Sequence, residues 1–228
     1  MLEDIRLPFE SRARAGRALG ERLARMDLAD PVVLALPRGG VPVGLEVALA
    51  LDAPLDLLLV RKIGVPWQPE LAVAAVMDGA TPVIVVEPYV QSATGVDRAY
   101  IDERAAQELK EIERRRALYL GRRAPEPVEG RTAIVVDDGI ATGTTVRAAL
   151  RGLRRRKPAR LVLAVPVAPP EAVEALSSEV DDLVCLAQPE PFGAIGYFYI
   201  DFHQLSDDEV VSLMRQAPHT AHEAHPAA

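Results

Sequence analysis

The chain has 228 residues, 49% of them hydrophobic and 26% charged, with a formal net charge of -7 at pH 7. That is enough apolar chain to bury a full core, and the negative balance argues against a protein built to coat nucleic acid, although local loops and a divalent cation can still receive an anionic substrate. The single cysteine, Cys185, rules out an intramolecular disulfide, and no apolar run reaches 18 residues or has the placement of a signal-peptide core, so the expectation is a cytoplasmic chain with no membrane partner.

In chain order, residues 9–26 carry apolar residues among arginines and glutamates at the spacing of an amphipathic helix. Pro31 opens an apolar strand over 32–36, which ends in Pro37-Arg38-Gly39-Gly40 before a helix over 41–51. Two glycines beside an arginine at a strand end suit an anion lying against backbone N–H groups with a guanidinium fork next to it. A third apolar run over 55–60 ends in Arg61-Lys62, which places two more cations at a strand end. Residues 71–77 and 82–87 predict a hairpin, and residues 96–120 a long helix in which the arginines 114–116 form a solvated basic face.

Residues 133–150 carry the chemistry. Ala133 to Val136 is an apolar run without alternation, as in a strand buried on both faces, and Asp137 and Asp138 stand at its carboxyl end. Ala141, Thr142, Gly143, Thr144 and Thr145 then form a small-residue loop that opens a helix. Unpaired N–H groups and the positive end of a helix dipole receive a phosphate, and threonine hydroxyls add donors. The two carboxylates would repel a phosphate that touched them, but they can accept hydrogen bonds from sugar hydroxyls or hold a metal through its waters. A sugar phosphate satisfies both halves. A Walker loop is excluded because Thr144, not lysine, follows Gly143.

Further strands over 161–165 and 182–186, with a short helix over 170–176 between them, complete the alternation that predicts an α/β fold with a doubly wound, mainly parallel sheet flanked by helices. After residue 186 the pattern changes to a Pro- and Gly-rich stretch, and residues 197–202 are the densest aromatic run, with the alternation of a strand. Residues 206–215 open on a Ser-x-x-Glu box and predict a last helix. Residues 1–216 are expected to form one domain and 217–228 a flexible tail, in which His219, His222 and His225 carry no metal-site pattern.

The run VVDDGIATGTT resembles the phosphoribosyl pyrophosphate (PRPP) signature of the type I phosphoribosyltransferases. The resemblance implies a transferase that moves a 5-phosphoribosyl group from PRPP to a nitrogen acceptor, expected to be a nucleobase, and releases pyrophosphate. It assigns Asp137 and Asp138 to the ribose and the transition state, and Ala141, Thr142, Gly143, Thr144 and Thr145 to the 5'-phosphate. Arg38, Gly39, Gly40, Arg61 and Lys62 are assigned to pyrophosphate. A small hood over about 187–205, shared with the N-terminal segment, is implied to cover the acceptor, with Phe192, Ile195, Tyr197 and Asp201 as its contacts and Phe192 as the ring free to stack on the base. Mg2+ is the implied cofactor, bound mainly through substrate and water, with Asp137, Asp138 and Asp201 open to it. The expected assembly is a homodimer. Enzymes that use 6-oxopurines carry an acidic residue where this chain has Ala141, so the likeness is to the adenine- and uracil-using branches. The competing expectation is a regulator of the same fold that binds PRPP without turnover. On this reading Asp138→Asn leaves stability nearly unchanged.

Overall fold

A computed structural model describes residues 6–78 and 82–219 of the chain. Its centre is a parallel sheet of β1 (Pro31–Ala35), β2 (Leu55–Leu57), β6 (Thr132–Val136), β7 (Arg160–Val167) and β8 (Asp182–Ala187), in the order β2-β1-β6-β7-β8. Successive residues of a strand point to opposite faces, and the two central strands divide accordingly. Val33, Ala35, Ile134 and Val136 enter one core with the helices α1 (Arg12–Leu23), α2 (Gly40–Leu51), α4 (Arg98–Leu120) and α7 (Asp207–Gln216). Val32, Leu34, Ala133 and Val135 enter the other with α5 (Thr144–Arg154) and α6 (Pro170–Ser177). This is why both strands read as unbroken apolar runs. The doubly wound parallel sheet expected from the sequence is present, and among the described residues no helix is long and apolar enough to cross a membrane.

The run over 55–60 is not one strand. β2 stops at Leu57, and the chain crosses through Leu58 and Leu59 into β3 (Val60–Val65), which joins β4 (Gln68–Met77) and β5 (Val83–Val86) in a separate antiparallel sheet. The crossing is fixed on both sides: Leu58 N donates to Ala35 O at 2.9 Å in the parallel sheet, and Asp78 N donates to Leu59 O at 3.1 Å in the antiparallel one. The expected hairpin is therefore β4-β5, and its turn residues 79–81 lie outside the described residues. Residues 88–94 add a short helix, α3 (Pro88–Thr94), ahead of α4.

The long helix α4 ties the two sheets together. Arg116, expected on a solvated face, turns inward instead. Its Nη2 donates to both carboxylate oxygens of Asp56 on β2, at 3.0 and 2.9 Å, and its Nη1 to Asp78 Oδ2 at the end of β4, at 2.8 Å. Both carboxylates are buried. Loss of water around Asp78 raises its pKa, and Arg116 is the main influence pulling it back. Removing one partner of such a buried group leaves an uncompensated charge.

Arg116→Met is expected to lower unfolding stability by about 3–5 kcal/mol, read from urea denaturation at pH 7. With its pKa raised, Asp78 costs no stability below the ordinary carboxylate range and costs progressively more as pH rises through the raised value. The deficit of the variant should therefore shrink on acidification toward pH 4, and an equal deficit at both pH values would contradict this account.

Candidate functional site

The site forms along the carboxyl ends of β1 and β6, where the parallel register pairs Ala35 with Val136 and sets the two following loops side by side. The first loop, 37–40, contains a cis Pro37-Arg38 peptide and runs into α2. A Cβ on Gly39 would overlap the Asp138 carboxylate, and one on Gly40 would stand 2.7 Å from Val136 O. Glycine is required at both because the loop lies directly against the acidic pair. The second loop, 139–143, ends at Gly143, whose φ of +72° is the left-handed conformation glycine adopts without strain, and α5 begins at the next residue. Ala141, Thr142 and Thr144 are exposed and Thr145 is half-buried, so the small-residue loop presents its backbone and hydroxyls outward at a helix start.

The acidic pair is held by a partner that sequence reasoning missed. Arg12, the first residue of α1 and buried, donates through Nε to Asp138 Oδ2 at 2.7 Å and through Nη1 to His203 O at 3.0 Å. Its guanidinium also lies 3.8 Å from the centre of the Phe202 ring. Tyr199 donates its hydroxyl to Asp138 O, and Asp138 N donates to Asp137 Oδ1 at 2.9 Å. Burial and the neighbouring Asp138 charge push the pKa of Asp137 well up; burial also raises that of Asp138, against the opposing pull of Arg12. Arg12 and Asp138 lie 126 positions apart, so only the arginine just inside a capped helix start hinted at the contact.

The residues expected at pyrophosphate separate. Arg61 and Lys62 are not at the carboxyl end of a parallel strand but within β3, where neighbours point to opposite sides. Arg61 turns toward α4 and pairs with Glu108 at 2.8 Å, while Lys62 points away and is exposed. A cleft of about 180 Å³ brings Pro37, Arg61, Asp137 and Thr145 together with Arg115 of α4, and thus joins three of the segments expected at the site. Arg38 extends toward the start of α7, 3.7 Å from Asp207.

The late segment also departs from expectation. Residues 197–202 do not form a strand: a 3-10 turn over Ile195–Phe198 leads into an extended stretch that meets the N-terminal segment, with Phe9 N donating to Phe198 O and Ile200 N to Phe9 O, both at 2.8 Å. Phe192 is half-buried rather than free-standing. Its ring packs on Phe198 with centroids 5.0 Å apart, because the segment closes its own small apolar cluster with Phe9 and Tyr199. Ile195 does reach the acidic loop, where its Cγ2 would lie 2.8 Å from a Cβ on Gly139. Tyr197 is 76% exposed, and Asp201 is exposed and bonded to His203 Nδ1 at 2.9 Å, lining a different cleft between α1 and α7. Of the segment expected to be a tail, Ala217 is buried and Pro218 O accepts from Leu55 N; His219 is exposed, and His222 and His225 lie outside the described residues.

The Arg12 pair changes one expectation. Asp138→Asn should not be neutral but should cost about 1.5–3 kcal/mol, the range for a hydrogen bond to a charged group, in thermal or urea unfolding. Asp137→Asn should do the opposite. A raised carboxyl pKa means that the ionised form costs stability, with no cost below the ordinary carboxylate range and more as pH rises. The melting temperature of this variant should exceed that of the wild type at pH 8, and the gain should fade toward pH 4.

A family model described as the phosphoribosyl transferase domain matches residues 10–201. The chain is 46% identical over 209 residues, 92% of its length, to a provisionally named phosphoribosyl transferase of Mycobacterium tuberculosis, with the same figures in two strains of that organism. It spans about half the length of these curated relatives, 47%. The crystal structure of TT1426 from Thermus thermophilus superposes with a TM-score of 0.83 at 40% identity, over 93% of this chain and 100% of that one. With its acidic pair, glycine loop and helix start assembled on one rim of a parallel sheet, and with these relatives, the chain belongs to the phosphoribosyltransferase family.

Proposed function

We propose that this domain transfers the 5-phosphoribosyl group of PRPP to a ring nitrogen of a small base and releases pyrophosphate. The observation that carries the reading is the placement of Asp137 and Asp138 directly ahead of the exposed helix start of α5, with the loop 37–40 packed against their carboxylates. In the reaction a bond forms between the acceptor nitrogen and C1 of the ribose, and the bond from C1 to the diphosphate oxygen breaks with its electron pair leaving on pyrophosphate. Positive charge develops on the ribose ring and negative charge on the leaving group, so the protein acts by position and field rather than through a covalent nucleophile.

The backbone from Ala141 to Thr145 would hold the 5'-phosphate. The acidic pair would accept from the ribose hydroxyls and face the cationic ring, whose positive charge would counter the burial and the carboxylate repulsion that raise the pKa of Asp137. Arg38, Gly39, Gly40 and Arg61 would receive the diphosphate; Lys62, on the far side of β3, would need the antiparallel sheet to move before it could join them. Magnesium would be carried by substrate and water, with the Asp137 and Asp138 carboxylates open to those waters at the strand end. When bound it would offset charge on the leaving diphosphate. For the acceptor, Ile195 offers an apolar contact over Gly139, and the absence of a carboxylate at Ala141 favours a base other than a 6-oxopurine.

The deciding experiment is pyrophosphate release with PRPP, Mg2+ and a panel of nucleobases. Steady turnover with one base supports the reading, whereas PRPP binding without turnover on any of them would point to a regulator. Thr142→Ala should weaken PRPP binding by about 1–3 kcal/mol, read by titration calorimetry. Gly143→Val should weaken it further, because a β-branched residue at a φ of +72° distorts the loop that presents the phosphate donors.

A further inference from the structure

Resting on the PRPP reading above, we infer that Arg115 of α4 is a third arginine of the diphosphate subsite, held beside Arg61 by Glu111 until the substrate enters. Arg61 and Arg115 line one cleft with Pro37, the residue directly before Arg38. Arg38 comes from the loop after β1, Arg61 from β3 and Arg115 from α4, and their side chains are 37%, 38% and 37% exposed. Each rests on a single acidic residue at the periphery: Arg38 on Asp207 at 3.7 Å, Arg61 on Glu108 at 2.8 Å and Arg115 on Glu111 at 2.7 Å. Arg115 lines the same cleft as Pro37, Arg61 and Asp137. Arg38 and the Tyr119 hydroxyl meet at the same Asp207 oxygen, at 3.7 and 2.6 Å, and Tyr119 lies one turn after Arg115 on α4.

Helix geometry explains why Arg115 and not its neighbour faces the cleft. Ile112, Arg115 and Tyr119 follow one another at three- and four-residue steps along the inward side of α4, whereas Arg114 is 61% exposed on the outside. Both arginines bind Glu111, Arg114 through two bonds of 2.8 and 3.0 Å and Arg115 through one of 2.7 Å. Arg115 therefore keeps most of its donors for another anion, and a diphosphate carries more charge and more acceptor oxygens than the one shared carboxylate. Arg114 is a matched control with the same charge, helix and partner but no access to the cleft.

The test is titration calorimetry of the full chain, in the presence of Mg2+, with PRPP, inorganic pyrophosphate and ribose 5-phosphate. Arg115→Ala should weaken PRPP and pyrophosphate binding by about tenfold or more. It should leave ribose 5-phosphate, which has no diphosphate, within about twofold of the wild type. Arg114→Ala should leave all three within about twofold, and Arg115→Lys should recover part of the loss. Should the alanine variant fail to fold, Arg115→Gln, which keeps the stem, takes its place. Unchanged PRPP affinity in a folded Arg115 variant, or an equal loss for ribose 5-phosphate, overturns the assignment of Arg115 while leaving the PRPP reading intact. A wild-type chain that binds no PRPP overturns both.

Discussion

The buried pair between Arg12 and Asp138 is the interaction on which the site depends, because it ties the start of α1 to the end of β6 at the acidic pair itself. One carboxylate oxygen takes the guanidinium Nε, the peptide oxygen of the same residue takes the Tyr199 hydroxyl, and Arg12 then reaches on to His203 O. The start of α1, the end of β6 and the late segment thus share one set of hydrogen bonds. Two adjacent carboxylates at a buried strand end would repel each other and lose hydration. A single guanidinium offsets much of the cost at Asp138 and leaves Asp137 as the more strained member.

The helix α4 performs a parallel task for the antiparallel sheet. Through Glu108 it holds Arg61 of β3, and through Arg116 it holds Asp78 at the end of β4 and Asp56 on the parallel sheet. The two sheets are thereby coupled by ions as well as by the peptide crossing at Leu58 and Leu59. The antiparallel sheet, the parallel sheet and the cleft thus all meet the one helix that carries Arg115.

What could be read from the sequence follows the distance over which each feature is encoded. The acidic strand end, the small-residue loop before a helix start and the parallel sheet were legible because strand, turn and helix start are written in one contiguous stretch, and their geometry is local. Arg61 and Lys62 were misjudged as a pair because a break of two residues turned a strand end into a strand interior, and alternation then sent them to opposite sides. The aromatic run over 197–202 read as a strand, but its partner is the N-terminal segment nearly the whole chain away, and that pairing leaves a bridge at Phe9 and Tyr199 in place of a ladder. Arg116 and Arg12 were invisible for the same reason. An arginine on an amphipathic helix looks solvated unless the carboxylate it meets is known, and both partners are distant in sequence.

The treatment of β2 bears on how the molecule meets others of its kind. As the first strand in the order β2-β1-β6-β7-β8, it would expose backbone groups along its outer side to any passing strand. Here Leu55 N donates to Pro218 O, Leu57 N to the Asp56 carboxylate, and Leu55 O accepts from Arg123. Both outward donors and one outward acceptor of the strand are already taken by the chain's own C-terminal residues and side chains. Strand-by-strand growth is hindered at this edge, which guards a very apolar sheet against aggregation there.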